Sequence, residues 1–172
     1  MFIERMAGQD YIDKTRDYLN YVEEHLENVR KAFSELSLAC DGMQWVGDDY
    51  AWHMLREEVI WHDVSKLSQA ELVPYTDKFY PTEHEPMEWY NNGFDKAWEH
   101  HKRHNQHHHE SVKTYTDIVH MVIDWTAMGY KFGDTAQEYY ERNKDNISLS
   151  DDHEKFLYEL FDKLEKYRQV VE

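Results

Sequence analysis

From about Gln9 to Leu38 the apolar residues Leu19, Val22, Leu26, Val29, Phe33 and Leu36 recur in alternating steps of three and four. That period is the stripe of an amphipathic helix. Gly42 and Gly47 then bracket a turn, and Asp48 or Asp49 is placed to cap a second helix carrying Met54, Leu55, Val59 and Ile60. This second helix is expected to end near the segment WHDVSK. A short third helix is expected to open on SQAE, residues 68–71, where Ser68 and Glu71 have capping-box spacing. Pro74 falls in its early turns and keeps it brief.

The loop YPTEHEP follows, its Pro81 and Pro86 opposing helix, and a fourth helix is expected from about Met87 to His104. The most apolar segment, Thr116 to Met128, forms a fifth, with Gly129 and Gly133 as stop signals. A short helix over Ala136 to Arg142 comes next. The last, Asp151 to Val170, is acidic at its start and basic toward its end, which suits the helix dipole. No internal repeat, glycine-rich phosphate loop or strand alternation interrupts this pattern. The expectation is an all-α chain of about six to seven helices, a single domain over residues 1–172.

Composition narrows the picture. Hydrophobic residues make up 41% and aromatics 15% of the chain, including six Trp and thirteen Tyr, so the core must be partly aromatic. The mean hydropathy of −0.93 reflects a heavily charged surface rather than disorder. The formal charge is −16, from 35 acidic and 19 basic residues. Such a surface repels phosphate backbones and anionic membranes, which excludes broad nucleic-acid binding. A small anionic substrate stays compatible where metal ions reverse the local potential.

Cys40 is the single cysteine, so no intramolecular disulfide is expected. The opening MFIERMAGQDYIDK lacks a signal-like apolar run, and no later segment reads as a membrane span. A cytoplasmic setting is expected, the host's cytoplasm if the chain is viral. The aromatic content would allow a homodimer without requiring one.

Three ionisable residues sit where burial penalises them. His25 lies three residues after Val22 and four before Val29, on the apolar stripe. His62 is three after Val59 and seven after Leu55. Asp124 is surrounded by Val122, Ile123, Trp125 and Met128, and Lys and Arg are scarce around this helix, so no local ion-pair partner is obvious. A lone buried carboxylate costs several kcal/mol, roughly, unless it is paired, protonated or bound to metal. Each residue also has an ordinary structural account: a bonded core histidine, a helix end at His62 and Asp63, an aspartate bonded to a buried Tyr or Trp.

The segment WHDVSK resembles the HD-x-[GS]-K signature of the HD superfamily of metal-dependent phosphohydrolases. His25 precedes the doublet by 37 residues and Asp124 follows it by 61, an order and spacing similar to those of small members. A closer resemblance is to an uncharacterised HD-like family of phages and bacteria, carried by HDVSKLSQAELVPYTDKFY, AWEHHKRHNQHH and MVIDWTAMGY, over about residues 20–135. The resemblance implies an HD-like helical bundle holding a divalent metal (Mn, Fe, Co, Ni, Zn or Mg) through His25, His62, Asp63 and Asp124. It implies catalytic roles for Asp63, Lys66 and Asp124, with Lys66 also contacting the substrate anion.

Members with two metals add two histidines between the doublet and the last aspartate. In that interval lie His100, His101, His107 and His108. His101 and His107 are the expected second-site ligands, with Asp63 bridging and His100 and His108 as alternates; Asn105 is placed to break the helix between them. A solvated histidine run is the plain alternative. His53, His84, His104, His109, His120 and His153 are expected to be structural or exposed, although His120 lies one helical turn from Asp124. Glu71 is expected to cap rather than catalyse.

The function these features point to is a phosphohydrolase acting on a small phosphorylated metabolite, chiefly a nucleotide. An HD-type di-iron oxygenase is the second reading. A non-catalytic ligand- or partner-binding accessory protein of a phage is the third.

Overall fold

Helices α1 (Ala7–Ala39), α2 (Asp49–Ile60), α3 (Leu72–Phe79), α4 (Tyr90–His104), α5 (Tyr115–Phe132), α6 (Ala136–Asn143) and α7 (Asp151–Val171) appear in that order in the computed structural model. It describes residues 7–40, 49–82 and 90–171. Single 3-10 turns, Val64–Leu67 and Lys144–Asn146, precede α3 and follow α6. No strand occurs among the described residues, so the chain is all-α with seven α-helices in the described parts. The expected turn at Gly42 and Gly47, the cap at Asp48 and the fourth helix's start at Met87 lie outside the described residues. No described helix is long and apolar enough to cross a membrane.

Contacts divide the chain into two compact units interleaved in sequence. One comprises Met1–Glu24 with Asp63–His104, the other His25–His62 with Asn105–Glu172. The second is called here the apolar unit and the first the polar unit, after what each buries.

Along α1 the buried positions are Lys14, Tyr18, Val22, His25, Val29, Ala32 and Leu36. The expected stripe is therefore right in period but slightly rotated: Leu19 is 41% exposed and Tyr18 fully buried in its place. In the apolar unit, α5 packs with α2, α6 and α7. Leu55, Ile118, Met121, Ile123, Leu157 and Leu160 are essentially sealed from solvent there.

Two capping boxes fix the helix starts of this unit. Asp117 N–H donates to Thr114 Oγ1 (3.2 Å) and Thr114 N–H to Asp117 Oδ2 (2.8 Å). Thr135 and Glu138 repeat the arrangement at α6. Helix α5 runs through Gly129 and stops at Gly133, whose φ of 82° is left-handed and whose N–H bonds Gly129 O at 2.8 Å. Gly129 is thus no stop signal. Its missing β-carbon leaves room for the Asp134 carbonyl, which a side chain there would overlap.

In the polar unit, α3 and α4 pack together with the 3-10 turn. The SQAE segment does not start a helix. Helix α3 begins at Leu72 with Glu71 at its cap position, and no side chain caps it. Glu71 is instead fully buried. That overturns the capping box expected of Ser68 and Glu71, because the Glu71 carboxylate is engaged instead by His100 and His101 of α4. Helix α4 stops at His104 and Asn105 leads out of it, as expected. The seven-residue spacings between 100 and 107 and between 101 and 108 therefore do not share a helical face.

Candidate metal centre

In the apolar unit, α1, the end of α2 and α5 each contribute one side chain to a common point. His25 sits on the buried stripe of α1. His62 follows α2, its N–H bonded to Val59 O at 3.3 Å as the helix unwinds. Asp124 lies in the middle of α5. His25 Nε2 is 3.0 Å from His62 Nε2 and 3.2 Å from Asp124 Oδ1; His62 Nε2 is 3.5 Å from the same oxygen.

Ligands about 2.1 Å from one cation stand roughly 3.0 Å apart in an octahedron and roughly 3.4 Å apart in a tetrahedron. The three edges span that range, so the donors fit a single transition-metal ion. Hydrogen bonds alone serve the triangle less well. Each Nε2 carries at most one proton, so either two N–H groups converge on Oδ1 3.0 Å apart, or one ring turns a lone pair toward the carboxylate.

Both imidazoles are buried, with 4% and 2% exposure, while Asp124 keeps 15% of its side-chain exposure. Burial alone would raise the Asp124 carboxyl. Hydrogen bonds from His25 and His62, and charge at His107 and His25, outweigh that and hold it well below the usual carboxylate range. The carboxylate is therefore ionised and ready to ligate.

The same unit gathers further histidines. His107 stacks on His62 with ring centroids 4.3 Å apart, and His108 is 4.4 Å from His107. His120 Nε2 lies 3.0 Å from His62 Nδ1, and its Nδ1 lies 3.6 Å from Glu58 Oε2. Burial pushes the His120 imidazole below its usual pKa despite Glu58. His120 was expected to be structural. Its spacing of one helical turn from Asp124 was the signal that it shares a face with the site.

The remaining expected residues belong to the polar unit. Asp63 adopts φ 55°, a left-handed conformation that aspartate tolerates better than most residues. It is 2% exposed; Oδ2 meets Lys66 Nζ at 2.5 Å and Oδ1 meets His101 Nε2 at 3.2 Å. His101 Nδ1 is 2.8 Å from Glu71 Oε2, His100 Nδ1 is 2.6 Å from Oε1, and Ser65 Oγ donates to Oε2 at 3.0 Å.

Burial would raise Glu71, but these three partners lower it below the usual range. Burial likewise works to discharge His101, and the carboxylates of Asp63 and Glu71 overcome it, raising that imidazole. Tyr18 and Tyr75 wall the cluster, their rings 6.3 Å apart. Both phenols are pushed up by burial and by the charges of Asp63 and Glu71.

Of the four ligands expected by resemblance, three thus belong to the apolar unit and Asp63 to the polar one; of the two expected second-site histidines, His107 belongs to the former and His101 to the latter. Glu71, expected to cap, is instead central to this cluster: its histidine partners are 29 and 30 residues away, and its local pattern mimicked a cap.

Fold and site together define an all-α protein with a buried histidine–carboxylate cluster able to hold a metal ion. The chain belongs to the Family of unknown function (DUF5662), whose profile matches residues 14–163. No curated protein and no solved structure matches it.

Proposed function

We propose that the protein is a metal-dependent phosphohydrolase of the HD type, acting on a small phosphorylated metabolite, with nucleotides the favoured substrates. The observation that carries this reading is the His25–His62–Asp124 triangle, a nitrogen and oxygen donor set without thiolate that suits a catalytic transition metal. When bound, such an ion supplies Lewis acidity and lowers the pKa of a water toward neutrality.

Asp124 and the two imidazoles hold their donor atoms in place before any cation arrives, because three separate segments fix them. For Lys66, the resemblance implies contact with the substrate anion. Its ammonium is held by Asp63 at 2.5 Å, so a phosphate has to compete with that carboxylate. The charge of −16 argues for a small anion rather than a nucleic acid. A cytoplasmic site of action, the host's cytoplasm if the chain is viral, accords with a single cysteine.

The test is phosphate release from nucleoside mono- and triphosphates by full-length protein loaded with Mn, Co, Ni, Mg or Fe. Turnover with at least one metal, abolished in Asp124→Asn with the fold retained by circular dichroism, is the expected result. No release with any of the five removes the reading. The extra histidines beside His62 favour one second reading, a di-iron oxygenase. Two irons per chain with substrate-dependent O2 uptake would select it.

A further inference from the structure

Behind the triangle, the packed helices α2 and α5 supply a second pair of side chains, Glu58 and His120. Glu58 lies four residues before His62, and His120 lies four before Asp124, on the same face of α5. His120 Nε2 is 3.0 Å from His62 Nδ1, the ring nitrogen turned away from His25 and Asp124. His120 Nδ1 is in turn 3.6 Å from Glu58 Oε2. Those last two atoms are both buried, and neither has a hydrogen-bond partner among the described residues. His107 stacks on the face of the His62 ring and leaves its edges to these contacts.

We propose that Glu58 and His120 are positioning residues of the metal site. The Glu58 carboxylate selects the tautomer of His120, and His120 holds the His62 proton on Nδ1, so that His62 Nε2 is left to ligate. This rests on the His25–His62–Asp124 triangle being a metal site.

Proton counting carries the inference. A neutral imidazole has one ring proton. With the His62 proton on Nε2, Nδ1 has to accept from His120 Nε2–H, and the bare His120 Nδ1 then faces the Glu58 carboxylate. A lone pair and an anion 3.6 Å apart repel. The opposite assignment removes the repulsion. His120 Nδ1–H points at Glu58, His120 Nε2 accepts from His62 Nδ1–H, and the lone pair of His62 Nε2 joins the donors of the triangle. A ligating imidazole needs that tautomer, and a hydrogen bond from its other nitrogen is what sets it. Asp124 alone favours the reverse, because its Oδ1 lies 3.5 Å from His62 Nε2 and could accept a proton there. Glu58 is the counterweight at the far end of the chain.

Packing alone explains less. A ring that only filled space would need neither the 3.0 Å edge-on approach to His62 nor a carboxylate beside its other nitrogen. The Glu58 side chain keeps 33% exposure and could turn wholly to water, yet its Oε2 is buried against His120. The 3.6 Å gap exceeds a hydrogen bond, and a few tenths of an ångström at this half-exposed side chain close it.

The experiment measures the Zn2+ affinity of full-length protein by competition with a chelating dye strong enough to suppress surface histidines. Binding should weaken about 100-fold in His120→Leu and about 10-fold in Glu58→Gln, the range lost with an outer partner of a metal ligand. His120→Gln offers a side-chain oxygen in place of Nε2 and should bind within about threefold of wild type. Unchanged affinity in His120→Leu overturns the proposal. So does a His120→Gln as weak as His120→Leu, since the acceptor would then not be what matters. Asp124→Asn separates this failure from that of the site. If it binds Zn2+ as tightly as wild type, the triangle is not the metal site and both readings fall. A loss in Asp124→Asn beside an unchanged His120→Leu sinks the positioning role alone.

Circular dichroism checks each fold. Should a variant not fold, nuclear magnetic resonance of the Zn2+-loaded wild type decides. A nitrogen–nitrogen scalar coupling from His62 Nδ1 to His120 Nε2, with the His120 proton on Nδ1, supports the chain. No coupling, or a His120 proton on Nε2, overturns it.

Discussion

The apolar unit buries one continuous cluster from α1, α2, α5, α6 and α7, with Ile118, Ile123, Leu157 and Leu160 at 1% exposure or less. The polar unit buries few aliphatic side chains. Its interior holds Lys14, Asp63, Lys66, Glu71 and His101 beside the rings of Tyr18 and Tyr75. Lys14 Nζ meets Asp77 Oδ1 at 2.6 Å, so even the charge at 4% exposure is paired. The contrast separates two ways of specifying an interior. Apolar burial contributes about 25 cal/mol per Å2 without regard to direction. A buried ion network gains little net stability, but each member fixes the position of the next. The apolar unit should therefore respond to lost volume, and the polar unit to lost partners and to pH.

The largest effect should come from Leu160→Ala. This side chain has no exposure, so its truncation removes transfer energy and leaves a cavity, at a cost of about 3–4 kcal/mol. Urea denaturation followed by circular dichroism measures the loss. A cost below about 1 kcal/mol would mean the cluster is looser than its burial implies.

The polar unit should be nearly as sensitive to Glu71→Ala, by a different route. Removing the carboxylate strands His101 and His100, and breaking a buried pair costs about 3 kcal/mol. Its pH dependence follows from the directions of the two shifts. Glu71 titrates below its ordinary 4.5 in the fold, so its contribution is present above about pH 4.5 and lost as acid protonates it. His101 titrates above its ordinary 6.5, so its contribution is complete below about pH 6.5 and fades as pH rises through the folded value. Amide exchange in α3 and α4, corrected for intrinsic rates, should be slowest between those limits. Amides of α7 should lack that window. A flat profile in α3 and α4, or equal loss in Glu71→Ala and wild type at pH 8, would erase the distinction between the units.

Legibility in the sequence follows the same division. The period of three and four placed α1, the apolar run placed α5, and caps and end charges placed α2 and α7, each to within a few residues. His25, His62 and Asp124 were visible because a polar residue on an apolar stripe stands out. In the polar unit the periodicity argument loses its grip, since Lys14, Glu71 and His101 occupy positions that a hydrophobicity pattern assigns to the surface. Glu71 was read as a cap because Ser68-x-x-Glu71 is locally indistinguishable from one. Only the return of α4 with His100 and His101 reveals its partners. Asp63 carried its doublet signal, yet its left-handed backbone and its pairing with Lys66 and His101 are tertiary facts.

The smallest effect is the sharpest test of that reading. If the capping box of Ser68 and Glu71 existed, Ser68→Ala would cost about 1 kcal/mol, as a lost N-cap does. In the structure no side chain caps α3, and the buried Ser68 hydroxyl makes no hydrogen bond. Its removal should therefore change stability by less than about 0.5 kcal/mol, with a slight gain favoured because an unsatisfied buried hydroxyl is deleted. Thr114→Ala is the matched control: the same chemical deletion at a capping box that does form, with Asp117 N–H at 3.2 Å, should cost about 1 kcal/mol. Measured side by side in urea, equal costs would restore the helix start at Ser68. That would return Glu71 to the helix end and take from the polar unit the carboxylate that organises it.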